Sequence, residues 1–254
     1  MSPPPPISTR EHARELRFNA VWTQELDQVF ADVAPYYDRA NHVASLGLWN
    51  WFLGSFMATI DVRPGQRVLD VCAGTNAVGI ALLEREPSLE VHAMDRSAAM
   101  QEVGRQRAQA KGFRIASMIG DVHELPFPDH HFDIVTLQWA SRHIRVRRVF
   151  GEIHRVLKPG GHFYHCDMLR PGNRFVEKTY YAYLRACLAV TGFLFRSGPA
   201  ALNCKKYFIN ALEMFYSADE LSTVLRELGY RDVAARTLIA GMIGFHRAAK
   251  PQAD

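Results

Sequence analysis

Three aspartates stand at nearly equal intervals in the first half of the chain: Asp70, Asp95 and Asp121. Each closes an apolar run, in "QRVLDV" (66–71), "LEVHAMD" (89–95) and "IASMIGD" (115–121). A carboxylate at the end of a buried strand can accept hydrogen bonds from a ribose diol, and one nearby can meet an amino group. A single aspartate there is as readily a turn cap; three at successive strand ends suit a nucleoside. They do not suit a ligand rich in phosphate, which carboxylates repel. After the first aspartate comes "VCAGTNAV" (71–78), a small-residue loop running into a helical pattern. Its backbone N–H groups and the positive helix end can meet an anionic group. Only Gly74 precedes the helix, and Cys72 and Asn76 stand where glycine is commonest. Asparagine is the non-glycine residue best suited to a left-handed backbone, so Asn76 is expected at positive φ.

A second constellation follows the apolar run "FDIVTLQW" (132–139): Ser141, Arg142 and His143. Arg142 can stabilise an anionic oxygen. His143, with an ordinary pKa near 6.5, can take a proton at neutral pH. The pair is read as catalytic, with a plain helix start as the alternative. Tyr37 and Asp38 read as closing over a ligand at the loop, with ordinary helix packing as the alternative. An aromatic set (Trp49, Trp51, Phe52, Phe56, Tyr180, Tyr181, Tyr183, Phe193, Phe195) suits a pocket for a flat ring with a lipid tail, or plain core. Arg145, Arg147 and Arg148 read as a solvated helix face.

These residues need a scaffold, and strand and helix patterns alternate from 66 to 168. That alternation predicts a parallel sheet with helices on both faces. Helices are expected over 76–86, ending before Pro87, and from Ser97 as N-cap to Gly112. Another covers "RRVFGEIHRVL", which "KPGG" turns into the strand "HFYHCDM". Ser217 and Glu220 form a capping box on a helix stopped by Gly229, and "YRDVAARTL" and "GMIGFHRA" pair as a hairpin. Residues 12–60 are helical and form part of a cap; residues 174–215 interrupt the alternation as a helical insertion that adds to the pocket. Residues 1–11, opening on four prolines, are expected as a disordered tail before one domain over 12–254.

The 254 residues, 48% hydrophobic, support one substantial core. A net charge of +4 is too small for a dedicated nucleic-acid binder. The four cysteines form no C-x-x-C pair and read as free thiols of a cytoplasmic protein. His162 and His165 face opposite sides of a strand, so no metal site is expected. "ACLAVTGFLF" (186–195) is too short to cross a membrane but suits an interface.

From Val29 to Arg247 the chain resembles the class I S-adenosylmethionine-dependent methyltransferases. "GDVHELPFPDHHFDIVT" and "RVLKPGGHFYH" carry the resemblance at that level. "VFADVAPYYDRANHVASLGL" and "LIAGMIGFHR" narrow it to the C-methyltransferases of ubiquinone and menaquinone biosynthesis, the UbiE/MenG type. The resemblance implies a Rossmann-like α/β fold with a mainly parallel seven-stranded sheet and a helical cap. It implies S-adenosylmethionine as cofactor, leaving as S-adenosylhomocysteine, held by Tyr37, Asp70, Cys72, Gly74, Thr75, Asn76, Asp95, Arg96, Met100, Asp121, Val122 and Gln138. It places Arg142 in catalysis, where His143 joins it by its position after the fourth strand, and Trp49, Tyr183 and Tyr207 against a lipophilic phenolic substrate. A homodimer and a peripheral contact with the inner face of a membrane stay open.

The departures from the family pattern are specific. Ala73-Gly74-Thr75-Asn76-Ala77 stands where the family usually has Gly-Gly-Thr-Gly-Asp. Trp49 replaces a histidine, Ser141-Arg142-His143 replaces Leu-Arg-Asn, Lys205-Lys206-Tyr207 replaces Tyr-x-Tyr, and Asn210 replaces a glutamate. Two other readings follow. One is a methyltransferase of another phenolic or polyketide-like acceptor. The other is an inactive binding protein, favoured by Asn76 and Ala77 and opposed by Asp70, Gly74, Asp95 and Asp121.

Overall fold

The computed structural model describes residues 7–194 and 205–252. The chain opens with α1 (Ile7–Ala20), a π-helical turn (Val21–Glu25), α2 (Leu26–Val33), α3 (Tyr37–Ala44) and α4 (Trp49–Met57). Then come β1 (Arg67–Val71), α5 (Ala77–Arg85), β2 (Glu90–Asp95), α6 (Ala98–Ala110), β3 (Ala116–Ile119) and β4 (Phe132–Gln138). A single 3-10 turn (Ser141–His143) leads to α7 (Val146–Val156), β5 (Leu157–Met168), α8 (Arg174–Leu194) and α9 (Lys205–Glu213). The chain closes with α10 (Ala218–Glu227), β6 (Arg231–Leu238) and β7 (Ile243–Ala249).

The seven strands form one sheet in the order β3-β2-β1-β4-β5-β7-β6. The first five are parallel, and β7 runs antiparallel to both β5 and β6. The apolar runs become the central strands because both faces are covered by helices. α7 shows how: Val146, Val149, Phe150, Ile153 and Val156 are buried at helical spacing, and Tyr230 joins their cluster. The expected caps hold. Ser97 accepts from the Met100 amide, Ser217 and Glu220 form the reciprocal box, and Gly112 and Gly229 take φ of 76° and 93°. Chain order reverses between β1 and β4, so a crevice opens beyond their carboxyl ends, under the cap.

Two expectations need correction. The disordered tail was expected over 1–11, but α1 begins at Ile7 and Glu11 is buried. Glu11 pairs with Arg147 and accepts from the Tyr216 hydroxyl. Three residues on, the buried Arg14 guanidinium lies 5.1 and 5.3 Å from the ring centres of Trp22 and Phe215. Glu11 by pairing and Arg14 by its ring contacts thus anchor the helix. The solvated face read for the arginines holds for Arg145 and Arg148, which are exposed, while Arg147 is half-buried between Glu11 and Glu227. Finally, β5 starts before "KPGG", not after it. The pairing moves from Phe132↔Leu157 to Ile134↔His162, so the glycines form a bulge inside the strand.

Candidate functional site

Asp70 sits in β1 with almost no exposed surface. Its Oδ1 accepts from the Thr136 hydroxyl at 2.7 Å, and its Oδ2 is buried with no partner. Burial pushes the carboxyl up to about 7, against the lowering effect of the Thr136 bond, and the nearby Asp95 charge adds to the rise. The chain then turns through three left-handed residues, Cys72 (φ 56°), Gly74 (φ 52°) and Asn76 (φ 56°). The expectation for Asn76 therefore holds, and Cys72 adopts the same strained region. Two neighbours hold the loop. Asp95 Oδ2 accepts the Gly74 N–H at 2.8 Å, and Gln101 Nε2 donates to Gly74 O and to Asn76 Oδ1, each at 2.9 Å. A side chain on Gly104 would reach within 2.8 Å of the Asn76 side chain, so α6 presses directly on the loop.

Asn76→Gly is expected to be nearly neutral: it relieves the backbone but loses one buried hydrogen bond, about 1 kcal/mol. Asn76→Val adds a β-branched residue at positive φ and should cost about 2 kcal/mol or more. Urea denaturation of both variants checks this. Equal losses would mean that side-chain bonding, not backbone geometry, governs the position.

Around this loop a cleft is lined by Asp70, Cys72, Gly74, Thr75, Asp95, Arg96, Met100, Asp121, Val122 and Gln138, with Leu26, Phe30 and Tyr37 from the cap. These are the expected cofactor residues, apart from Asn76, which is wholly buried behind the loop. Several have structural partners already. Thr75 bonds Asp38, which pairs with Arg107, so Asp38 ties α3 to the loop. Arg96 bonds Asp27 and the Trp22 carbonyl, fastening the cap over the end of β2. Asp121 is half-exposed; burial would raise its carboxyl, but the His123 amide and ring outweigh this and hold it below the usual range. Besides Asp70 Oδ2, Gln138 Nε2 is buried there without a hydrogen bond.

A second cavity of about 610 Å³ adjoins the first and shares Phe30, Tyr37, Trp49, Trp139 and His143 with it. Trp49 and Trp139 stack at the junction, centres 5.5 Å apart. Farther walls are apolar, including Val29, Val33, Leu184, Leu188, Leu212 and Met242. Arg142 is the one charged side chain among the described residues lining it, and it pairs with the fully buried Asp167. Tyr37, pushed up to about 12 by burial, keeps its proton there. Tyr183 lines the cavity and its hydroxyl donates to Ala44 O.

Tyr207 does not line either cavity. Its oxygen lies 2.6 Å from His143 Nδ1 and accepts from Trp22 Nε1 at 2.8 Å, so it backs the wall and does not form it. The aromatic set also divides. Trp49, Phe52, Tyr180 and Tyr183 line the cavity; Phe56 stacks on Phe245 in the core; Tyr181 is buried beside Glu177. Trp51 and Phe193 face solvent, Phe193 with 84% of its surface exposed, and Phe195 lies outside the described residues. His143 is buried, and burial first, then the charges of Arg142 and Arg14, push its pKa well below the ordinary value. The residues sequence reasoning missed are Trp139, Asp167 and Trp22. Asp167 carried a usable signal, being a fourth acidic residue near the end of the fifth parallel strand. Trp22 carried none, because its contact with Tyr207 spans 185 positions.

The comparisons agree with this geometry. The model of the ubiE/COQ5 methyltransferase family matches residues 19–250. A demethylmenaquinone methyltransferase of Symbiobacterium thermophilum is 32% identical, over 98% of this chain and 96% of its own. The ubiquinone/menaquinone biosynthesis C-methyltransferase UbiE of Ectopseudomonas mendocina is 30% identical over 90% of each chain. Among solved structures, Haemonchus contortus phosphoethanolamine N-methyltransferase 2, in complex with S-adenosyl-L-methionine, superposes with a TM-score of 0.59. It is 18% identical and covers 81% of this chain and 53% of its own, a likeness of fold.

Proposed function

The chain belongs to the ubiE/COQ5 methyltransferase family, and from that premise we propose that it transfers a methyl group from S-adenosylmethionine to a ring carbon of a prenylated quinol. The observation that carries this reading is the apolar cavity of about 610 Å³ opening off the loop cleft, with Arg142 as the one cation among the described residues at its wall. It suits a flat ring entering between Trp49 and Arg142 with a hydrocarbon tail beyond.

The residues present fit the cofactor. The unpartnered Asp70 Oδ2 suits an ammonium group, and Asp95, whose oxygens each accept one amide, retains lone pairs for a ribose diol. Asp121 and Val122 suit the base. When bound, the cofactor supplies an electrophilic methyl carbon. Phe30, Tyr37, Trp49 and Trp139 surround the junction where the acceptor ring must lie, and they exclude water from it. Arg142, held by Asp167, sets a fixed positive charge beside the acceptor and favours the ionised form of its hydroxyl, which makes the ring carbons electron-rich. His143, held neutral far below its ordinary pKa, is a poor proton acceptor, so the base role expected for it is weak.

A peripheral membrane contact belongs to the same reading. No described helix is long and apolar enough to cross a membrane. Yet Leu46, Leu48 and Ile239 line the cavity while remaining exposed, Leu46 at 77%, and they form an apolar mouth through which a lipid-borne acceptor can enter.

The test compares a prenylated demethylquinol with the same ring lacking its tail, each in detergent micelles, by transfer of labelled methyl. The tailed acceptor should be favoured in kcat/KM by about a hundredfold or more, since each buried methylene contributes about 0.8 kcal/mol. Equal values would remove the quinol reading and favour a soluble phenolic acceptor.

A further inference from the structure

We infer that His143 serves as a neutral hydrogen-bond donor, presenting Nε2–H to an oxygen of the acceptor, and that Trp22 and Tyr207 are positioning residues that set this tautomer. The inference rests on the quinol reading for the acceptor's identity, but not for the tautomer.

Three groups form a line behind the cavity wall: the Trp22 indole, the Tyr207 hydroxyl and the His143 ring. An indole N–H only donates, so Trp22 fixes the first bond toward the Tyr207 oxygen, at 2.8 Å. That oxygen lies 2.6 Å from His143 Nδ1, and the second bond has two arrangements. Either Tyr207 donates its O–H to a bare Nδ1, or Nδ1–H donates to an oxygen that already accepts from Trp22. A phenol is a good donor and a poor acceptor, whereas a bare imidazole nitrogen is a strong acceptor. A bond received from Trp22 also makes the hydroxyl a stronger donor, because bonds running in one direction polarise each other. The favoured chain is therefore Trp22 to Tyr207 to Nδ1, which leaves the single proton of the neutral ring on Nε2.

His143 lines both cavities while Tyr207 lines neither. The nitrogen bonded to Tyr207 thus lies on the side of the ring toward the wall. Nε2 is buried and has no protein partner. A buried polar atom in that condition costs about 1–3 kcal/mol unless a ligand or water takes it. The donor stands at the junction near Arg142, where the oxygen beside the methylated ring carbon must lie. A cation and a neutral N–H that meet one oxygen together recognise a phenolate. They discriminate against an acceptor with no oxygen next to the reacting carbon.

Long-range proton–nitrogen NMR on protein labelled in histidine reads the tautomer without any acceptor. His143 signals are assigned by their loss in His143→Gln or, should that variant fail to fold, by their shift in Tyr207→Phe. The expected result is a pyrrole-type Nε2 and a pyridine-type Nδ1 at neutral pH, with Tyr207→Phe mixing the two tautomers. A protonated Nδ1 with bare Nε2, or a charged ring, overturns the inference. Turnover supplies the second arm. His143→Gln retains an N–H donor and should keep the rate within about tenfold, while His143→Leu should lose about a hundredfold or more. Equal losses in the two would restore the base role, since an amide cannot take a proton, and would overturn the donor role. Absence of turnover with any quinol, with the tautomer as expected, would refute the proposed function and leave the tautomer established.

Discussion

Asp167→Ala is expected to destabilise the protein by about 3–5 kcal/mol and to abolish most turnover, although Asp167 lines neither cavity. Asp167 has no exposed surface. It accepts from the amides of Ser141 and Met168, both at 2.7 Å, from the Ser141 hydroxyl and from Arg142. Ser141 in turn lies 2.7 Å from the buried His165, whose other ring nitrogen approaches His246. Removing the carboxylate leaves a nearly buried guanidinium without its counter-charge and two amides without acceptors. Asp167→Asn keeps the shape and loses the charge, so it should fall between wild type and alanine. A double-mutant cycle with Arg142→Ala, followed by urea denaturation, isolates the pair. The double variant should be more stable than the summed single losses imply. Strict additivity would mean that the two side chains do not act on each other.

The other large effect is a pH dependence in cofactor binding, centred on Asp70. Its folded pKa, about 7, lies above the ordinary aspartate value of 3.8 because burial disfavours the charged form. The folded state therefore holds a proton that the unfolded chain has released between those values. Asp70 thus contributes stability that is fully present below about pH 4 and is lost as pH rises toward 7. Asp95, raised in the same direction by burial despite its bonds from Ser97 and Gly74, acts with the same sign. Cofactor binding runs the opposite way. Only the ionised carboxylate attracts an ammonium group, so affinity should rise with pH and level off above about 7. Calorimetric titration with S-adenosylmethionine near pH 6 and pH 8 measures this. Asp70→Asn should flatten the dependence and weaken binding at the higher pH by about 2–5 kcal/mol, as for one lost partner of a buried charged pair. Affinity that does not change with pH in the wild type would take Asp70 out of contact with the cation.

Much of the scaffold was written in local patterns. The alternation of apolar runs and amphipathic helices from 66 to 168 depends on neighbours within a few residues, and so do the caps at Ser97 and Ser217. The strand-end aspartates were legible because a parallel sheet brings successive carboxyl ends to one edge whatever lies between them. Asn76 was legible because a left-handed backbone is a property of one residue and its own sterics. The family motifs extended this reading to the cap, where periodicity alone says only that helices occur.

What remained hidden depends on residues far apart in the chain. Glu11 reads as part of a disordered tail until α1 packs against α7 and Arg147 and the Tyr216 hydroxyl become its partners. Tyr207 reads as a pocket residue by motif, but Trp22 and His143 claim its hydroxyl from 185 and 64 positions away. His143 reads as a base from its ordinary pKa, which burial beside two cations removes. Composition and spacing thus determined that the chain makes a parallel sheet with a nucleoside-type cleft at its switch point. Only the tertiary structure decided which polar groups face that cleft unpartnered and which are spent on one another. Hydrogen bonding and desolvation act over a few ångströms in space, and sequence separation carries no information about that distance.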